Sequence, residues 1–212
     1  MTIEFEDEAR AFCATLTDSA GMERLERLVV LLREENQRQN LVAEKSLDYV
    51  WQRHLADSAQ LLDYVPRETQ PWLDLGTGAG FPGLVIAAMN PDWDVVLVES
   101  RKRRVEWLES VCADLKLTKC CVKGARLEQV VSFPAAVISA RAFAPLPRLL
   151  NLAARFSTPN TIWVLPKGRS AAQELSELKK SAQSMFHVEQ SVTDGEAGII
   201  VGRYRHKPRR KA

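Results

Sequence analysis

Between Trp72 and Gly83 the chain reads WLDLGTGAGFPG, and this stretch narrows the possible folds more than any other. A short apolar run ends in Asp74, glycines follow at 76, 78, 80 and 83, and a helix-like run extends from Leu84 to Met89. A strand, a glycine turn and a helix start in this order belong to an open α/β sheet. The ligand is expected in the crevice beyond the carboxyl end of the strand. Alternating glycines allow positive φ and a close approach of backbone to ligand, and the free N–H groups of the helix start favour electron-rich groups. Pro82 suits the first helical turn, where its missing N–H costs nothing.

Gly78, Gly80 and Gly83 also satisfy G-x-G-x-x-G, so the spacing alone leaves a dinucleotide and a nucleoside cofactor both open. Two acids tilt the reading. Asp74 sits beside the turn, where a carboxylate would accept from an ammonium and repel a pyrophosphate; its other reading is a turn cap. Glu99 ends the next apolar strand, Asp94 to Val98, where it can accept from ribose hydroxyls. Together they favour S-adenosylmethionine, which carries a ribose and an ammonium but no phosphate, over NAD.

A chain of 212 residues can bury one good core with a small helical appendage. The expected division is a helical extension over 1–66, a sheet domain over 67–205 and a basic tail over 206–212. With 46% hydrophobic and 26% charged residues, an acidic start and no apolar run of membrane-spanning length, the sequence is that of a cytoplasmic protein. Cys13, Cys112, Cys120 and Cys121 form no C-x-x-C pair and have no histidine at ligand spacing, so no metal site is expected. The net charge of +2 is too small to argue for nucleic acid. Its distribution says more: 203–211, RYRHKPRRK, is basic throughout, which suits either a solvated tail or phosphate contacts.

Along the chain, residues 3–16 and 22–38 read as amphipathic helices, and a third helical stretch runs from Leu47, with Ser46 as N-cap, to about Tyr64. Within it His54, Asp57 and Ser58 share one helix face. Three neighbours on one helix lack independently placed oxyanion donors, so they read as a hydrogen-bond clamp onto the sheet rather than a hydrolase triad. From Trp72 onward strands and helices alternate, which implies a parallel sheet with right-handed crossovers. The helix Arg101 to Leu115 opens with RKRR. Cations are disfavoured there by the dipole, so Arg101, Lys102 and Arg103 hint at an anionic partner, against the blander reading of a solvated surface. Arg141 follows the strand Ala135 to Ser139 beside the crevice, where its guanidinium could pair with an acid or hold a carboxylate or a guanine edge. The strand Thr161 to Leu165 places Lys167 at the same sheet edge. After a helix Ala171 to Met185, the runs Phe186 to Val192 and Gly198 to Tyr204 read as a terminal antiparallel hairpin.

Taken together, NLV at Asn40, RHLADS at Arg53, LDLGTGAGFPG at Leu73, SARAFAPL at Ser139 and PKG at Pro166 resemble the glucose-inhibited division protein B family, the RsmG small-subunit rRNA methyltransferases. The resemblance runs from about Asn40 to Gly168. It implies a class I S-adenosylmethionine-dependent methyltransferase fold, Rossmann-like, with a mostly parallel seven-stranded sheet, a terminal antiparallel hairpin and an N-terminal helical extension. It also implies methyl transfer to N7 of a guanine in the 530 loop of 16S rRNA, by a monomer acting on the small ribosomal subunit or an assembly intermediate. Carried over by motif, Gly76 and Phe81 bind cofactor at the glycine turn, Leu127 and Glu128 lie near its adenine, and Arg141 reaches the site, orienting cofactor or guanine with no general base. Glu99 stands where the family usually has an aspartate. ESRKRR departs from the usual D-S-x-x-K-R arrangement, and GEAG lacks a basic residue expected after the glutamate, an RNA contact that Arg203 or Arg205 would replace. Rival readings are a methyltransferase with another RNA, protein or small-molecule acceptor, an NAD-dependent oxidoreductase, and a non-catalytic RNA-binding module.

Overall fold

The computed structural model describes residues 2–67 and 69–204, so Arg205 and the 206–212 tail lie outside the described residues. The chain opens with α1 (Glu6–Leu16) and α2 (Ser19–Asn36). Asp18 caps α2 by accepting from the Gly21 N–H at 2.7 Å, which starts the helix three residues before the periodicity suggested. Leu25, Leu28 and Leu32 of α2 are fully buried at spacings of three and four.

The third helical stretch is not the regular helix expected from Leu47. It begins at Glu44 as a 3₁₀ turn, widens to a π turn over Trp51–Ala56, passes through α3 (Asp57–Ala59) and tightens to 3₁₀ over Gln60–Tyr64. Ser46 is not its N-cap: the hydroxyl donates back to the Ala43 carbonyl (2.6 Å) and meets His54 Nε2 (2.9 Å). The Trp51 and Gln52 N–H groups at the π turn are taken by the Glu6 carboxylate at 3.0 and 2.8 Å, which ties α1 to the widened turn.

Seven strands follow: β1 (Trp72–Leu75), β2 (Val95–Glu99), β3 (Cys120–Gly124), β4 (Val137–Ser139), β5 (Ile162–Gly168), β6 (Phe186–Gln190) and β7 (Gly198–Arg203). They form one sheet in the order β3-β2-β1-β4-β5-β7-β6. The first five are parallel, whereas β7 runs antiparallel to both β5 and β6. The order reverses at β1, between β2 and β4, and opens the crevice where the glycine turn leaves the sheet.

Period-two alternation in β1 divides the core. Trp72 packs on one face with α2 and α4 (Gly83–Met89), while Leu73 and Leu75 pack on the other with α6 (Leu146–Ala153) and β5. All of β1 and α4 is buried, as an interior strand and a helix enclosed between the sheet and the N-terminal helices must be. α5 (Lys102–Asp114) completes the α4 side.

The single helix expected over Ala171 to Met185 is two short ones, α7 (Ala171–Ser176) and α8 (Lys180–Gln183). No glycine or proline marks the break. Gln183 instead donates to the Ser176 and Leu178 carbonyls at 2.7 and 2.6 Å, and the turn lets Leu178 bury.

Candidate active site

The glycine turn takes the conformation its spacing requires. Gly76, Gly78 and Gly80 have φ of 62, 61 and 107°. A Cβ on Gly76 would sit 2.4 Å from the Phe143 ring, so nothing larger than hydrogen fits under that aromatic. A Cβ on the buried Gly78 would come 3.3 Å from the Arg104 guanidinium and 3.8 Å from the Gly76 carbonyl.

Asp74 does not face the crevice. It is fully buried: Oδ1 accepts from the Ser139 hydroxyl at 2.7 Å, and Oδ2 accepts from the Gly83 N–H at 3.0 Å. The same hydroxyl accepts from Trp72 Nε1 at 2.8 Å. Burial pushes the Asp74 carboxyl up from the usual carboxylate range, opposed by the hydrogen bonds from Ser139 and Gly83 and by the charge of Arg141. The expected cofactor contact is thus corrected: alternation turns Asp74 under α4, where it pins β1 to β4 and to the helix start, the turn-cap reading.

Glu99 holds the next strand end. Oε2 accepts from the Gly78 N–H at 3.1 Å, and Oε1 accepts from the Ser100 and Arg101 N–H groups at 2.7 and 2.8 Å. The longer arm of glutamate lets it reach the glycine turn. With about four acceptor positions on a carboxylate, roughly one remains for a ribose hydroxyl rather than the expected two. Glu99 lines a cavity of about 370 Å³ together with Gly76, Leu127 and Glu128. Leu127 is buried and apolar, and Glu128 is exposed at the rim. A glycine cradle, an acid at the next strand end and an apolar floor fit a nucleoside with a short charged chain, and the volume is that of a cofactor pocket.

Arg141 belongs to a different cavity, one of about 1000 Å³. Its Nη1 pairs with Asp57 Oδ2 at 3.3 Å and donates to the Arg53 carbonyl at 3.4 Å, while Nη2 lies 3.5 Å from His54 Nδ1. The guanidinium lies over the Phe81 ring at 5.0 Å, and His54 stacks on that ring with centroids 5.0 Å apart and planes 12° from parallel. Asp57 Oδ1 also accepts from Thr193 and Gln60, both at 3.1 Å, so one carboxylate joins the helical extension to both sides of the sheet edge. His54 and Asp57 therefore form the expected clamp, around Arg141. Ser58 does not take part, since its hydroxyl donates to the His54 carbonyl within its own helix at 2.6 Å.

The two cavities share one wall, Ala142 to Ala144. Ala142 is held in the left-handed region with φ 53°, a conformation that costs a residue with a Cβ about 1–2 kcal/mol.

Other expectations change. The Phe81 ring is 2% exposed beneath the adjoining His54 and Arg141 side chains, so it supports the larger cavity from below and lines neither. Lys167 reaches the larger cavity, but its ammonium is buried, 2.9 Å from Glu174 and donating to the Ala144 carbonyl at 2.8 Å, and so braces the shared wall instead of offering a free cation. Arg203 pairs with Ile162 at the amino end of β5, because β7 runs antiparallel; this places it at the sheet edge opposite the crevice. Arg101 lines the smaller cavity. Lys102 pairs with Glu106, and Arg103 donates to the Arg38 carbonyl at 3.2 Å. Ser139, Phe143 and Arg104 escaped the sequence reading, although SARAFAPL carried the first two and RKRR the third.

His54 makes the site sensitive to acid. Burial, then the charges of Arg141 and Arg53, lower its pKa to about 3 from 6.5. The neutral ring has Nδ1 toward Arg141 and an Nε2 proton to donate to Ser46, whose hydroxyl continues to Ala43. Between pH 6.5 and 3 the unfolded chain binds a proton here that the folded one refuses, so stability rises with pH across that window. Lowering the pH from 7 to 5 is expected to remove about 1–2 kcal/mol, and His54→Gln should flatten this slope in urea unfolding. An equally steep slope in the variant would place the acid sensitivity elsewhere.

The profile described as rRNA small subunit methyltransferase G matches residues 21–200. The ribosomal RNA small subunit methyltransferase G of Erythrobacter litoralis is 64% identical over 205 residues, covering 97% of this chain and 99% of that protein. The protein of the same name from Novosphingobium aromaticivorans is 56% identical, over 96% and 90%. Among solved structures, a methyltransferase from Geobacter sulfurreducens superposes with a TM-score of 0.60 at 15% identity, over 84% of this chain and 90% of that one, a likeness of fold. The chain belongs to the rRNA small subunit methyltransferase G family.

Proposed function

We propose that this protein transfers a methyl group from S-adenosylmethionine to N7 of a guanine in the 530 loop of 16S rRNA. The observation that carries the reading is the pair of cavities at the carboxyl edge of the sheet, one built for a nucleoside and one holding a guanidinium, separated only by 142–144. The resemblance of the motifs to the family supplies the base and the atom. Gly76 and Gly78 would hold the cofactor by backbone approach, Glu99 by a ribose hydroxyl, and Leu127 with Glu128 beside the adenine. The cofactor supplies an electrophilic methyl on a sulfonium.

Guanine N7 carries an in-plane lone pair and no proton, so no general base is required and positioning does most of the work. A guanidinium N–H of Arg141 donated to O6 leaves the N7 lone pair free. The purine gains positive charge as it is methylated. Asp57, 3.3 Å from the guanidinium, offsets that charge and keeps Arg141 from repelling the product. His54 and Phe81 fix the plane of the guanidinium. Among the described residues no helix is long and apolar enough to cross a membrane. The reading carries with it a cytoplasmic monomer working on the small ribosomal subunit or its assembly intermediate.

The test is incubation with tritiated S-adenosylmethionine and small subunits from a strain lacking the gene, followed by nucleoside analysis. Label in 7-methylguanosine from the 530 loop is expected. Label elsewhere in RNA would break the base assignment, and cofactor binding with no RNA label would move the acceptor to a protein or small molecule.

A further inference from the structure

Arg101, Arg104, Arg126 and Arg148 all line the smaller cavity, and they come from separate segments following β2, β3 and β4. None of their side chains has a hydrogen bond or ion pair among the described residues. Arg155, in contrast, is spent internally on the Leu127 and Val130 carbonyls. Two acids share the cavity, and Glu99 is already engaged by three backbone N–H groups. Arg101 and Arg104 also stand at the start of α5, whose first turn holds no acid and whose dipole disfavours cations.

S-adenosylmethionine does not account for this. It carries one carboxylate against a sulfonium and an ammonium, so a single guanidinium would serve it. Arg104, half-buried beside Gly78, is the one in position for that carboxylate. Arg101, Arg126 and Arg148 are exposed. Like charges gathered around one opening raise the local positive potential there and draw a polyanion across it.

We infer that Arg101, Arg126 and Arg148 form a phosphate-binding rim over the mouth of the cofactor cavity, along which the RNA backbone runs while the target base enters the larger cavity beyond 142–144. This rests on the RNA reading above and adds the path of the strand. The rim seals the cofactor opening when RNA is bound, excluding water from the transfer. Its contacts are electrostatic and indifferent to sequence, so they set affinity and leave the choice of base to the larger cavity.

The experiment measures binding of a 16S rRNA transcript against salt for the wild type, the triple variant Arg101→Ala/Arg126→Ala/Arg148→Ala, and the triple arginine-to-lysine variant. S-adenosylhomocysteine affinity is measured by calorimetry in parallel. Each lost phosphate contact should reduce the slope of log K against log salt by about 0.7, so the alanine triple should lose about 2, with RNA affinity at low salt down on the order of tenfold. The lysine triple should keep most of the slope, and S-adenosylhomocysteine affinity should hold within twofold. Lys119→Ala removes an exposed cation at the amino end of β3 and should change nothing. An unchanged slope in the alanine triple, or a loss of S-adenosylhomocysteine affinity that accounts for the RNA effect, overturns the rim. A reduced slope with no 7-methylguanosine formed by the wild type supports the rim and sinks the assigned reaction.

Discussion

Arg141→Ala is expected to lower turnover by about 10²-fold or more while leaving S-adenosylhomocysteine affinity within a few fold, read by single-turnover methylation and calorimetry on the same preparations. The split follows from placement. The guanidinium lines the larger cavity and is held by Asp57, the Arg53 carbonyl, His54 and the Phe81 face, so on the proposed reading its loss removes the group that orients the acceptor and leaves the glycine cradle intact. Arg141→Lys should rescue little, because a point charge on a flexible stem cannot serve Asp57 and His54 together and lie flat on Phe81. Asp57→Asn keeps the shape and removes the compensating charge, and its defect should appear in kcat more than in KM. Loss of cofactor affinity in Arg141→Ala equal to the loss of turnover would move the residue back to the cofactor, where the sequence had also placed it.

The second large effect is expected in the core. Asp74→Ala should destabilise the fold by about 3–5 kcal/mol, because it strands the Gly83 N–H and the Ser139 hydroxyl away from water and leaves a cavity beneath α4. With a urea m-value near 2–3 kcal/mol/M, the midpoint should fall by more than about 1 M. Asp74→Asn should cost less, about 1–2 kcal/mol. Its oxygen can still accept from Gly83, but its amide then donates to a Ser139 oxygen that already accepts from Trp72, and the serine proton loses its acceptor. If Asp74→Asn abolishes S-adenosylhomocysteine binding with stability intact, the carboxylate contacts the ligand and the buried pin is the wrong account.

Much of the architecture was legible because its signals are local. Gly76, Gly78 and Gly80 announce positive φ, and the apolar runs of β1, β2 and β5 announce a buried parallel sheet. What stayed hidden depends on direction and partnership. Arg203 follows an apolar strand much as Arg141 does, and only the antiparallel course of β7 sends it to the far edge. Lys167 reads as a free cation until Glu174, seven residues later in the chain, folds back onto it. Asp74 shows the limit of a pattern: alternation states that it lies opposite Leu73 and Leu75, and tertiary packing decides that this side is closed by α4. The irregular stretch from Glu44 to Tyr64 was missed for a related reason. Its propensities permit a plain helix, and the Glu6 carboxylate, some 45 positions away, helps select the widened turn.

The segment 142–144, strained at Ala142, is a wall of both cavities. Any shift of this wall when one cavity fills changes the fit of the other, and equilibrium coupling is reciprocal: the factor by which the methyl donor tightens RNA binding equals the factor by which RNA tightens donor binding. Once transfer has removed the charge from one ligand and placed it on the other, the wall faces a different pair. The same coupling that assembled the reactants then sets how readily each product departs in the presence of its neighbour.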